Sequence, residues 1–159
     1  MKKLVYVCVG TVVGLLILSS FVFAQHQHGG MSMGGSMKMD TKEVLVEGTK
    51  VTFQIMANDE HRKMLKDMKM KEDIEPGTTH NITVTLKEDK SQKEITNAQI
   101  SVKVIDAKGK DQVKSMKFED TMNTYDAYFD LKEKGKYQVL ILFKVGDQKR
   151  TAGIYYEVK

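Results

Sequence analysis

The sequence predicts an all-β, antiparallel sandwich carrying one short helix, and three observations predict it. Apolar residues alternate with polar ones over short stretches: Ile82, Val84 and Leu86 share one face of TTHNITVTLKE, and Ile100, Val102 and Val104 share one face of AQISVKVID. Polar turns such as EDKSQKE and AKGKD follow these stretches, so seven or eight strands recur at roughly 10-residue spacing. Only one stretch, NDEHRKMLKDMKM, has helical character, with no breaker before Pro76.

Met1-Lys2-Lys3 is followed by an uncharged run from Leu4 to Gln25. This is a secretion signal or a membrane anchor spanning residues 1–24. Val22-Phe23-Ala24 places small residues where signal peptidase needs them, which favours cleavage after Ala24. The run is also about 20 residues long, enough to cross a bilayer, so an uncleaved anchor stays open. Either way the remainder is expected outside the cytoplasm, in the periplasm, touching a membrane only through that segment. Cys8, the single cysteine, lies inside the apolar run, so the exported part has no disulfide and must fold on its core alone. About 115 residues suffice for one such domain.

Residues 25–42 are expected to be a flexible, disordered tail: QHQHGGMSMGGSMKMDT has no aliphatic or aromatic core former. The sandwich is expected over 43–159. It opens with a hairpin, Val44-Leu45-Val46 and Val51 to Met56 about Glu47-Gly48. Asn58 is the expected N-cap of a helix over 59–70, with Asp59 and Glu60 at its positive end. Later strands are VKSMKFE, TYDAYFDLK, YQVLILFKV with a turn at Val145 to Gln148, and RTAGIYYEVK. Val139 to Phe143 is the most apolar strand and is expected to be central and buried on both faces.

Composition excludes some functions. Setting aside Lys2 and Lys3 leaves 23 of the 25 Lys and Arg against 21 Asp and Glu, with the signs interspersed. No basic stripe with aromatic interleaving exists, so no nucleic-acid partner is expected. The chain has neither a G-x-S-x-G turn nor an exported thiol, and no enzymatic activity is expected.

The tail is chemically distinctive. His26, His28, Met31, Met33, Met37 and Met39 put six metal-ligating side chains within Gln25 to Asp40. Imidazole nitrogen with thioether sulfur selects copper, and the sulfurs favour Cu(I), whereas hard cations want carboxylates. Thioethers need no deprotonation and cannot form disulfides, which suits an oxidising compartment. The glycine pairs at 29–30 and 34–35 let the segment fold back on an ion. The competing reading is a plain Met-rich spacer.

A second set falls on the helix, where His61, Met64 and Met68 follow at i, i+3 and i+7, and His80 opens the next strand. Beside Leu65, the favoured reading of these methionines is an apolar face packed on a sheet, with His61 exposed in the first turn.

The stretch from Thr79 to Val158 resembles the small exported YtkA-like domains and, more loosely, the CopC-like periplasmic copper carriers. The resemblance rests on Thr79-His80-Asn81-Ile82-Thr83-Val84-Thr85-Leu86, Asn97-Ala98-Gln99-Ile100-Ser101-Val102, Tyr125-Asp126-Ala127-Tyr128-Phe129 and Gly135-Lys136-Tyr137. It implies an immunoglobulin-like sandwich in the company of metal handling or envelope assembly. It transfers no ligand set, and the helix is foreign to those carriers. Two functions follow as expectations: a periplasmic copper carrier, chaperone or buffer working through the tail, or a non-catalytic module that binds an envelope protein or serves a transporter complex.

Overall fold

The computed structural model describes residues 38–159. Ten elements follow in order: β1 (Met39–Val46), β2 (Thr49–Ala57), α1 (Asn58–Asp67), β3 (His80–Glu88), β4 (Gln99–Ile105), β5 (Asp111–Ser115), β6 (Lys117–Glu119), β7 (Thr124–Phe129), β8 (Gly135–Val145) and β9 (Gln148–Val158). All strand pairs are antiparallel, forming one sheet in the order β1-β2-β3-β7-β6 and a second in the order β5-β4-β8-β9. The fold is the expected immunoglobulin-like sandwich with one short helix.

The alternation seen in sequence sets the core. Val51, Phe53, Ile55, Ile82, Val84 and Leu86 of the first sheet face Val102, Val104, Val139, Ile141 and Phe143 of the second, all of them buried. Tyr125 closes one end, with its hydroxyl accepting from the Ala98 N–H at 2.8 Å and donating to the Ile95 carbonyl at 3.1 Å. The Glu47-Gly48 turn takes positive φ at both residues (45° and 74°), the two-residue hairpin geometry whose twist matches the flanking strands.

Several expectations need correction. VKSMKFE is two strands, because the chain crosses between sheets at Met116: β5 pairs with β4, and β6 pairs with β7. That raises the strand count among the described residues to nine. β8 lies inside its sheet but is buried on one face only; Leu142, on its outer face, is 47% exposed. β1 begins at Met39, ahead of the expected Glu43, because its backbone pairs with β2 from Met39↔Met56 onward. α1 ends at Asp67, and its N-cap is Ala57. Asn58 instead ties the helix start to the segment before β3, donating its side-chain N–H to Thr78 Oγ1 at 2.9 Å and its backbone N–H to the Thr79 carbonyl at 2.8 Å.

The helix stops because Lys69 turns left-handed, with φ at 56°. Met70 N–H then bonds the Leu65 carbonyl and Lys69 N–H the Lys66 carbonyl, which satisfies two terminal acceptors and reverses the chain. The segment from Met70 to Thr79 therefore runs back beside the sheet. Among the described residues no helix is long and apolar enough to cross a membrane.

Candidate functional site

The outer face of the first sheet carries, across its strands, a row of Met39, Met56, Asn81 and Tyr128, and beside it a row of Thr41, Gln54, Thr83, Asp126 and Lys117. A sheet with a solvated outer face would leave these exposed. Here α1 lies over them, and Met56, Asn81, Thr83 and Tyr128 are all buried.

His61 and Leu65, four residues apart and so on one side of the helix, make this cover; they are 2% and 3% exposed. The outward side carries Arg62 paired with Asp59 and Glu72, and Lys63 paired with Glu60. Such exposed pairs add little stability, so the apolar and hydrogen-bonded underside anchors the helix.

Beneath α1 the polar groups are joined. Tyr128 donates its hydroxyl proton to Asp73 Oδ1 at 2.9 Å, and its oxygen lies 3.2 Å from His61 Nε2. Thr83 donates to Asp126 Oδ1 at 2.6 Å and lies 2.8 Å from Asn81 Oδ1, while Thr124 donates to the other Asp126 oxygen at 3.2 Å. Alongside, between α1, the returning segment and β6–β7, opens a cavity of about 400 Å³ lined by His61, Leu65, Met70, Met122, Asp126 and Tyr128 among others. Lys114 of β5 and Glu75 also line it and bond each other at 2.7 and 2.8 Å.

Burial governs the charges. It pushes the His61 imidazole below its ordinary range, with Asp126 and Asp73 pulling it back in part. Burial likewise raises the Asp126 carboxyl against its threonine hydrogen bonds, and raises the Tyr128 phenol, which Asp73 raises further. His80 is also lowered by burial, opposed by Asp130.

A pH dependence of stability follows. Between the ordinary imidazole value of about 6.5 and the lower folded values, the unfolded chain binds protons that the folded one refuses. Stability from His61 and His80 is therefore complete above that value and falls as pH drops through it. Asp126 acts with the opposite sign, but at the acid end. The urea midpoint should fall between pH 7.5 and 5.5, and His61→Gln should flatten that slope; equal slopes in both proteins would show that His61 is not held neutral.

The site residues expected from sequence are thus dispersed. His26, His28, Met31, Met33 and Met37 lie outside the described residues, as do the signal or anchor segment and its cleavage point. Met39 is in β1, 40% exposed, opposite Met56. His61 is buried rather than exposed, because its ring fits the polar underside of the helix. Met64 is half-buried and Met68 is 47% exposed, at the edge of that packed face. His80 does not join His61: it precedes Asn81, so it points to the opposite side of β3, between the sheets, where its ring meets Tyr156 edge-on at 5.8 Å and its Nδ1 lies 2.9 Å from Thr79 Oγ1. No group of three His, Cys, Asp or Glu among the described residues is arranged to hold a metal. Sequence reasoning missed Tyr128, Asp73, Asp126 and Met122. The one available signal was Asp126 and Tyr128 recurring at i and i+2 on the face opposite Tyr125, Ala127 and Phe129.

Comparison with known proteins gives likeness of fold. No family model matches the chain, and no curated protein matches it. Among solved structures, FetP from a uropathogenic E. coli strain, expressed in the periplasm of E. coli, is similar with a TM-score of 0.57 and 9% identity, covering 77% of this chain and 97% of FetP. A copper-bound variant of FetP gives a TM-score of 0.56 and 10% identity over 76% of this chain and 97% of its own. A DUF4426 family protein from Pseudomonas aeruginosa gives 0.55 and 14% identity over 74% of this chain and 94% of its own. At these identities the shared property is the sandwich, found by this chain in common with a protein that has been seen with copper bound.

Proposed function

We propose that this protein is an exported, non-catalytic copper carrier, chaperone or buffer that takes up the metal with its His/Met-rich tail. The observation that carries the reading is the concentration of His26, His28, Met31, Met33, Met37 and Met39 within sixteen residues, the last two of which open β1. Thioethers hold Cu(I) and imidazoles hold Cu(II). Capture by uncharged ligands on a glycine-rich segment is labile, which suits metal that is to be passed on. A variant of FetP, a sandwich of similar build, has been seen with copper bound, and that supports the reading.

The test is an anaerobic titration of residues 25–159 with Cu(I) against a competing chelator, beside a variant with Met31, Met33, Met37 and Met39 changed to Leu. The native protein should bind tightly, and the variant should lose at least roughly 100-fold in affinity, about 2.7 kcal/mol. Equal binding by the two would remove the tail from the site.

One observation favours a second reading, an envelope protein-interaction module or a transporter's accessory domain. The outer face of the second sheet exposes Val113 (61%) and Leu142 (47%), apolar side chains with no cover among the described residues. Under that reading the native protein binds no copper in the same titration.

A further inference from the structure

We propose that the outer face of the second sheet docks on an anionic phospholipid bilayer, with Lys144 and Lys149 holding a headgroup phosphate and Leu142 and Val113 entering the interface beside it.

The register of the sheet builds this face. Gln99, Lys144 and Lys149 stand in one row across β4, β8 and β9, and Ser115, Ser101, Leu142 and Thr151 stand in the next. The third row is Val113, Lys103, Leu140 and Gly153. Their neighbours along the strands, among them Val102, Val139, Ile141 and Ala152, fill the core, so these side chains point away from it. No layer among the described residues lies over Val113 and Leu142, which are 61% and 47% exposed. Leu140 is on the same side of β8 as Leu142, and Lys103 stands between Leu140 and Val113, so its aliphatic stem extends the apolar strip toward β5.

Charge is unevenly placed on this face. Lys103 pairs with Asp111, and Lys136 stands directly opposite Glu157. At the other end Lys144 and Lys149 stand directly opposite each other, where β-carbons are about 5 Å apart and like charges are unfavourable. Lys144 is 4.0 Å from Asp147, whose side chain is fully in water, and Lys149 has no acidic partner among the described residues. An anion between the two ammonium groups replaces that repulsion with attraction, and lysine binds phosphate in this way, as a point charge. Beside the pair is a hollow of about 450 Å³, lined by the two lysines, Gln99, Ser101, Ser115 and Leu142 among others. It sets two cations and polar donors against an apolar wall, which is the chemistry that receives a phosphodiester joined to a hydrocarbon body.

The pattern and sign of the face select the occupant. Apolar side chains that stand out of a broad surface, with basic groups beside them, enter the headgroup region of a bilayer while the cations meet its phosphates. A second copy is disfavoured, because two such faces would bring together the surplus of Lys103, Lys136, Lys144 and Lys149 over Asp111 and Glu157 from each. An acidic protein would match the charge, but a bilayer is the partner that the sequence itself brings near: the uncharged run from Leu4 to Gln25 takes the chain to one during export. The contact is separate from copper uptake and from any retained N-terminal anchor.

The chain contains no tryptophan, so a single one reports its own surroundings. Leu142→Trp is compared with Leu45→Trp, on the outer face of the other sheet, each in the full chain reconstituted into vesicles of phosphatidylcholine alone or of an equal mixture with phosphatidylglycerol. In the anionic vesicles the emission of the Leu142→Trp chain should shift to the blue and be quenched by brominated lipid, and in phosphatidylcholine alone it should do neither. The Leu45→Trp chain should stay unquenched in both. Adding Lys144→Gln and Lys149→Gln, both at the surface, should move the docked-to-free ratio about 30-fold toward free, since each lysine near an anionic surface is worth about fivefold. No quenching of the Leu142→Trp chain in anionic vesicles, or equal quenching of the two reporters, overturns the proposal. A blue shift that deepens with protein density and is not quenched by lipid assigns the face to a second copy, and one that appears only with soluble polyglutamate assigns it to an acidic protein. Either result overturns the bilayer as the partner.

Discussion

Phe53→Ala should cost about 3–5 kcal/mol of folding stability, a large part of the roughly 5–15 kcal/mol that holds a domain of this size together. Phe53 sits at the middle of β2, paired with Val84 of β3, and none of its surface reaches solvent. Truncation removes an aromatic ring from between the two sheets, and the antiparallel ladders on either side prevent the backbone from closing the gap. The described residues contain no cysteine, so no disulfide among them offsets the loss. The melting temperature should drop by roughly 10–20 °C. Leu45→Ala is the control: Leu45 is next to Val44 in β1 but on the other face and 52% exposed, so its truncation should stay within about 0.5 kcal/mol. Comparable losses from the two substitutions, read by urea unfolding, would mean that the sandwich interior is not where the alternation puts it.

That pair of residues also shows why the fold was legible. Alternation along a strand states which side chains face inward, and the turn residues Glu47-Gly48 and Val145 to Gln148 state where strands end, so two half-buried sheets follow from local information. Failures occurred where the decisive partner was distant. Met116 gives no local sign that the chain changes sheets there, because the change depends on Phe118 finding Tyr125, 4.9 Å between ring centres, in the neighbouring layer. The run Val139 to Phe143 reads as doubly buried from its composition, yet among the described residues no layer covers Leu142 on its outer face. Asn58 has the chemistry of a cap, but Thr78, twenty residues on, competes successfully for its side chain.

The candidate site was less legible for the same reason. His61, Asp73, Asp126 and Tyr128 come from a helix, a returning loop and one strand, and only the register of β3 against β7 places Asn81 beside Tyr128 and Thr83 beside Asp126. Helical spacing grouped His61 with Met64 and Met68; packing grouped it with Tyr128 instead, and left Met68 half in water. His26, His28, Met31, Met33 and Met37 lie outside the described residues, and their grouping is a reading of composition within a short stretch.

Tyr128→Phe should test the joint between α1 and the sheet with the largest effect of any single-atom change in the site. The substitution keeps the ring, which stands edge-on to His61 at 5.6 Å and is 8% exposed, and removes only the oxygen. His61 Nε2–H then faces a hydrocarbon edge with no acceptor, and Asp73 loses the donor that tethers the returning segment. A buried donor stripped of its partner costs about 1–3 kcal/mol. The phenol is held well above its ordinary value by burial and by Asp73, so it stays protonated through any usable pH and the loss should not depend on its ionisation. A double-mutant cycle with Asp73→Asn should give a coupling of about 0.5–3 kcal/mol, since both changes break one relay. Hydrogen exchange should then accelerate first in α1 and in residues 70–79, which the lost bond joins, while the β4–β8–β9 ladder keeps its protection. A loss below about 0.5 kcal/mol with unchanged exchange in α1 would mean that Leu65 alone holds the helix and that the imidazole is not oriented by this hydroxyl. The larger loss, together with a His61 ring that no longer keeps its proton on Nε2, would establish that one phenolic oxygen both pins the helix and sets the lone pair beneath it.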